Sequence, residues 1–144
     1  MLKFNKKTEY AIMALLHMSE NNKQVCSVRE IAEKFSIPKE LLRKVLHALA
    51  QKNVIESIQG VRGGFKMTRC LHDISVIEII NATHKPVKIV DCVDSSDCEC
   101  PQNIECNIKG SMLSLQDELS SFFSSITLQD LQNKNYLRET SEKI

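Results

Sequence analysis

A chain of 144 residues supports one modest core with an appended element rather than two full-sized domains. No apolar run approaches the roughly 18 residues that span a bilayer, and the early stretch AIMALLHM is broken by His17, so a cytoplasmic protein without a membrane partner is expected. The net charge of +1 hides an asymmetry, +7 over residues 1–70 and −6 over residues 71–144, and the basic half suits a polyanion whose phosphates it can pair at contact range in physiological salt.

Tyr10, Ala11, Ala14, Leu15 and Met18 recur at helical spacing, which predicts a first helix over about residues 5–19. After a polar loop, Ser27-Val-Arg-Glu30 has the spacing of a capping box, and Ile31, Ala32 and Phe35 supply the buried face of a short second helix. Ser36-Ile37-Pro38 breaks it. Pro38 then opens a third helix to about residue 52, with Leu41, Leu42, Val45, Leu46 and Leu49 inward. Two helices joined by so short a turn form a helix-turn-helix, and the outward Lys39, Glu40, Arg43, Lys44 and His47 are the candidates for DNA contact in a major groove. Residues 54–58 and 65–68 read as two strands joined by a loop with three glycines. With Gln59, Arg62 and Lys66 on it, this hairpin is a wing. It is not a phosphate loop, because no helix and no Gly-Lys-Ser/Thr follows.

Ser75-Val-Ile-Glu78 repeats the capping-box spacing and starts a short helix that His84, Lys85 and Pro86 end. Next comes DCVDSSDCECPQNIEC, residues 91–106, with four of the six cysteines and five carboxylates. Without an export signal, clustered thiols point to metal binding or redox sensing rather than a disulfide scaffold. Cys26 and Cys70 lie apart and are expected to be structural thiols. From Ile104 the positions Ile108, Met112, Leu115, Leu119 and Phe122 follow at steps of three and four, which predicts a helix from 104 to 123 that pairs with a second copy of the chain. Thr127-Leu-Gln-Asp130 can cap one last turn before a polar tail. The four histidines are scattered without a nucleophile partner, so no enzyme is expected. The expected architecture is mainly α with a small β-hairpin. It comprises a winged helix-turn-helix at 1–82, a cysteine-rich loop at 83–106, dimerisation and end helices at 104–131, and a tail at 132–144.

Thr8-Glu9-Tyr10-Ala11, Ile31-Ala-Glu, Ser57-x-x-Gly60-x-x-Gly63-Gly64-Phe65, the cysteine cluster and Ile126-Thr-Leu-Gln-Asp-Leu131 together carry a resemblance. Over nearly its whole length the chain resembles the IscR, NsrR and RirA family of bacterial winged-helix regulators. The resemblance implies a homodimeric repressor on a pseudo-palindromic double-stranded DNA operator. Its affinity would be controlled by an iron–sulfur cluster of two or four irons sensing iron, redox state or nitric oxide. It implies Cys92, Cys100 and Cys106 as ligands, since gaps of seven and five residues look like those of NsrR and RirA, with Cys98 the alternative to Cys100. Lys109 stands where IscR-like members place a ligating histidine. In NsrR-like members an acidic residue from the other protomer completes the site, and that position is Glu9 of the partner subunit. Gln59 stands where many members have arginine. Members such as CymR carry no cluster, so the alternative is a cluster-free winged-helix regulator sensing thiol or persulfide state or a partner protein.

Overall fold

The computed structural model describes residues 3–21, 24–93 and 100–133. Helix α1 (Lys6–Glu20) starts at Asn5, whose side chain accepts a hydrogen bond from the Thr8 amide, and it buries Ala11, Ala14, Leu15 and Met18. Helices α2 (Val28–Phe35) and α3 (Lys39–Gln51) follow. Between them Ser36 adopts a left-handed φ of 53° and Ile37 N donates to Ala32 O at 3.0 Å, closing the tight turn. Pro38 caps α3 from just outside the helix, one position earlier than expected. Leu42, Val45, Leu46 and Leu49 enter the core, while Leu41 is only half-buried.

The box expected at Ser27 is half formed. Ser27 Oγ accepts from the Glu30 amide at 3.1 Å, but the Glu30 carboxylate turns away to buried His17, 3.2 Å from its Nε2. Lys34 Nζ lies 3.1 Å from His17 Nδ1, and the Asn21 side-chain amide lies 3.1 Å from Nε2, so both ring nitrogens are engaged. A polar helix-start residue is thereby spent on tying α2 to α1.

Strands β1 (Ile55–Ile58) and β2 (Gly64–Met67) pair antiparallel, Ile55 opposite Met67 and Ile58 opposite Gly64. Cys26 exchanges two further hydrogen bonds with Phe65, of 2.8 and 2.9 Å, and this isolated bridge, two residues before α2, fixes the wing to the helix-turn-helix. Helix α4 (Val76–Thr83) has the complete capping box between Ser75 and Glu78. Thr83 meets Thr8 of α1 in a buried hydroxyl pair at 2.9 Å.

Helix α5 (Lys109–Ser125) begins five residues later than the apolar spacing predicts. The reason is local. Asn103 N donates to Cys100 O at 3.0 Å, placing Pro101 at the second position of a turn, where its fixed φ is as well suited as at a helix start. Ile104, read as the first seam residue, is consequently 96% exposed. After α5 the chain returns: Val76 N donates to Ile126 O at 2.8 Å and Leu128 N to Ile74 O at 2.9 Å. Helix α6 (Leu128–Asn133), boxed by reciprocal bonds between Thr127 and Asp130, therefore packs Leu128 into the same core as α1 to α3. A smaller cluster of Val76, Ile80 and Ile126 takes in Phe4, Val87 and Phe123. No helix among the described residues is long and apolar enough to cross a membrane.

Candidate nucleic-acid interface and thiol pocket

Burying one face of α3 leaves Lys39, Glu40, Arg43, Lys44 and His47 on the outside, and all five are exposed. Lys39, Arg43 and His47 line a shallow groove of about 310 Å³ whose other walls come from Ser27 and Arg29 at the start of α2 and from Gln59 and Gly63 in the wing. Helix and wing are locked at this groove. The His47 ring meets Phe65 edge-on at 5.2 Å, so His47 has a packing role that exposure alone does not reveal. At the wing tip Gln59, Val61 and Arg62 are exposed, while Lys66 is half-buried and paired in register with Glu56. Arg29 was not singled out by sequence reasoning. Its only sequence signal is a basic residue in the first turn of a helix-turn-helix, and it is bonded to Glu33 at 2.8 Å.

Cys92 sits on a single 3-10 turn (Asp91–Val93), Cys100 opens the Pro101 turn, and Cys106 lies just before α5. All three are half-buried free thiols and line one pocket of about 680 Å³ with Asp91, Lys109 and Met112. The Cys100 thiol donates to Gln102 Oε1 at 3.2 Å, and Lys109 Nζ donates to Asn103 Oδ1 at 2.7 Å. Cys98 lies outside the described residues. Glu9, in the first turn of α1, is engaged within its own chain by Lys6 at 2.8 Å.

The linker leading into this pocket is held by Gln116, a buried amide on α5 that sequence reasoning missed. Its Oε1 accepts from Ile89 N at 2.9 Å and its Nε2 donates to Val87 O at 2.8 Å. The one signal for it was a polar residue interrupting the inward side of an apolar helix. Cys26 is fully buried as expected, and burial, followed by the Glu30 charge, pushes its thiol pKa up. Cys70 is exposed, contrary to the expectation of a structural thiol.

A single zinc and an iron–sulfur cluster ask different spacings of their thiolates. Four bonds of about 2.3 Å to one zinc would hold sulfurs roughly 3.8 Å apart. Among the described residues, two groups have ligand atoms all within 4.8 Å of one another, and the pocket thiols are not one of them. Separate irons of a cluster accept more widely spaced thiolates, the ligand class such clusters use.

A basic recognition helix, a glycine-built wing locked beside it and a projecting helix carrying a thiol pocket define a winged-helix DNA-binding regulator. The family model described as "Rrf2: Iron-dependent Transcriptional regulator" matches residues 4–134, and the chain belongs to the Rrf2 family of transcriptional regulators. The chain is similar to the HTH-type transcriptional regulator NsrR of Bacillus subtilis strain 168, with 28% identity over 131 residues, 90% of each protein. Two solved structures share the fold. CymR, the global cysteine regulator of B. subtilis, superposes with a TM-score of 0.69 at 21% identity, over 93% of this chain and 98% of that one. IscR of T. potens superposes with a TM-score of 0.68 at 21% identity, over 95% and 90%.

Proposed function

We propose that the chain is a homodimeric cytoplasmic repressor whose affinity for a pseudo-palindromic DNA operator is set by an iron–sulfur cluster. The observation that carries this reading is the convergence of Cys92 from a 3-10 turn, Cys100 from the Pro101 turn and Cys106 from the segment before α5 on one pocket at the foot of α5. When bound, a cluster supplies a centre reactive toward oxidants and nitric oxide. The three thiolates hold it, and Glu9 of the partner subunit is the proposed fourth ligand. Gln116 keeps the linker against α5, so a change of ligation at the pocket moves the linker and α5 together.

The exposed face of α5 supports pairing. Ile108, Leu115 and Phe122, seven residues apart, are 53%, 50% and 43% exposed and form one stripe that a second copy would cover. In the dimer, Lys39, Arg43, Lys44 and His47 face the major groove with Glu40 at their edge, and Gln59, Arg62 and Lys66 lie along phosphates or the minor groove. Half-sites are read about 34 Å apart, so a shift of a few ångströms between the two α3 helices prevents simultaneous engagement. The division of labour follows: residues 1–82 bind DNA, 83–106 sense and 104–131 pair; of the tail expected at 132–144, residues 132 and 133 belong to α6 and the rest lies outside the described residues.

Anaerobic purification with an absorption spectrum, iron and sulfide assays and DNA-binding titrations tests this. The expected result is a coloured protein containing both elements, whose operator affinity changes tenfold or more on cluster removal, and a Cys106→Ser variant that retains little iron. A colourless, iron-free protein would replace this reading with the cluster-free regulator.

A further inference from the structure

We propose that Cys70, His72 and Asp73 form a second metal site, for a single borderline divalent cation of the zinc class, separate from the thiol pocket. The three lie on and beside one 3-10 turn (Leu71–Asp73) between the wing and α4. Their sulfur, imidazole nitrogen and carboxylate oxygen all fall within 4.8 Å of one another. That mixture of thiolate, imidazole and carboxylate is the donor set such ions take.

The spacing fits a tetrahedral ion. Bonds of about 2.0–2.2 Å to nitrogen and oxygen put those atoms roughly 3.3 Å apart, and a bond of about 2.3 Å to sulfur puts it roughly 3.6 Å from each. His72 Nε2 and Asp73 Oδ1 are already 3.3 Å apart, and the Cys70 sulfur lies within 4.8 Å of a ligand atom of each residue.

The turn is built to hold this arrangement. Asp73 N donates to Cys70 O at 3.0 Å, buried Leu71 anchors the loop in the core, and Arg69 donates to the Asp73 carbonyl. The Arg69 guanidinium is committed to Glu78, at 2.8 and 3.2 Å, which leaves the Asp73 carboxylate to His72. All three ligands are exposed, and a cavity of about 510 Å³ opens beside Cys70, so a water or exogenous group can complete the coordination.

The other converging group, His17 with Cys26 and Glu30, is less suited. Both His17 ring nitrogens already face other side chains, Lys34 at Nδ1 and Glu30 and Asn21 at Nε2, and the Cys26 thiol is buried. At the Cys70 site the metal takes the thiolate and the thiol proton leaves to solvent, so affinity rises with pH.

The test uses the reduced full-length chain with Cys92, Cys98, Cys100 and Cys106 all replaced by serine, titrated with cobalt(II) and then zinc. One equivalent of cobalt should give thiolate-to-metal charge-transfer absorption that zinc displaces. Adding Cys70→Ser should abolish the band, and His72→Ala should weaken zinc binding at least tenfold, with circular dichroism unchanged in both. No band in the four-serine protein, or a band that survives Cys70→Ser, overturns the proposal; the second result would place the thiolate at Cys26.

Discussion

Gly64 sits where Cys26 and Phe65 exchange their two hydrogen bonds, and a Cβ there would overlap the Cys26 carbonyl. Backbone on both sides leaves nothing flexible to give way. Gly64→Ala should therefore cost about 1–3 kcal/mol, seen as a thermal midpoint lowered by several degrees and a wing more readily cleaved by protease. Gly60, at φ 114°, meets no neighbour and is needed for its backbone conformation alone. At Glu78, the hydrogen bonds from Arg69 are the largest cause holding the carboxyl below its ordinary value of 4.5, with the Ser75 amide adding to them against the opposing effect of burial. A depressed carboxylate contributes stability that is full above the unfolded-state value and is lost as pH falls through the folded one. Glu78→Gln removes that contribution at every pH. Chemical denaturation from pH 7 to pH 3 should show the variant less stable at neutrality and the gap to wild type closing on acidification below about 4.5.

At the level of elements, α3 was readable from sequence because its pattern carries both halves of its role, an apolar stripe and a basic face. Arg43 projects from the middle of that face into the groove shared with the wing. Arg43→Ala should weaken operator binding by about 1–3 kcal/mol if it reads a base edge, and relax sequence preference at one position. Arg62→Ala, if that wing residue lies on phosphate, should weaken all sequences alike and reduce the salt slope by about one, as anisotropy titrations at several salt concentrations would show. The start of α5 was misplaced because apolar periodicity does not register a turn. Ile104 continues the spacing, yet the Cys100 to Asn103 hydrogen bond puts it outside the helix. The same turn leads the chain from Cys100 to Cys106, and both line one pocket.

For the molecule as a whole, α5 leaves the core and α6 returns to it through the Ile74 and Ile126 backbone bonds, leaving the outer stripe of α5 uncovered. Leu115→Glu with Phe122→Glu places charges on that stripe without touching the buried Leu128 and Ile126. The double variant should sediment as a folded monomer at micromolar concentration, and its operator affinity should fall by two orders of magnitude or more as bivalent engagement is lost.

The sequence by itself determined the winged helix-turn-helix, because apolar periodicity, the serine caps of α2 and α4, Pro38 and the wing glycines are local devices that act within a few residues. It also placed four of the six thiols in one stretch and the net positive charge in one half. Tertiary structure alone decided what distant residues do together. It drew Glu30 from its own helix start to His17, bridged Cys26 to Phe65 of the wing, and set Gln116 as the bracket on the linker to the thiol pocket. Each of these satisfies a polar group left over by burial, and which partner it finds depends on what the fold brings near rather than on its neighbours in the chain.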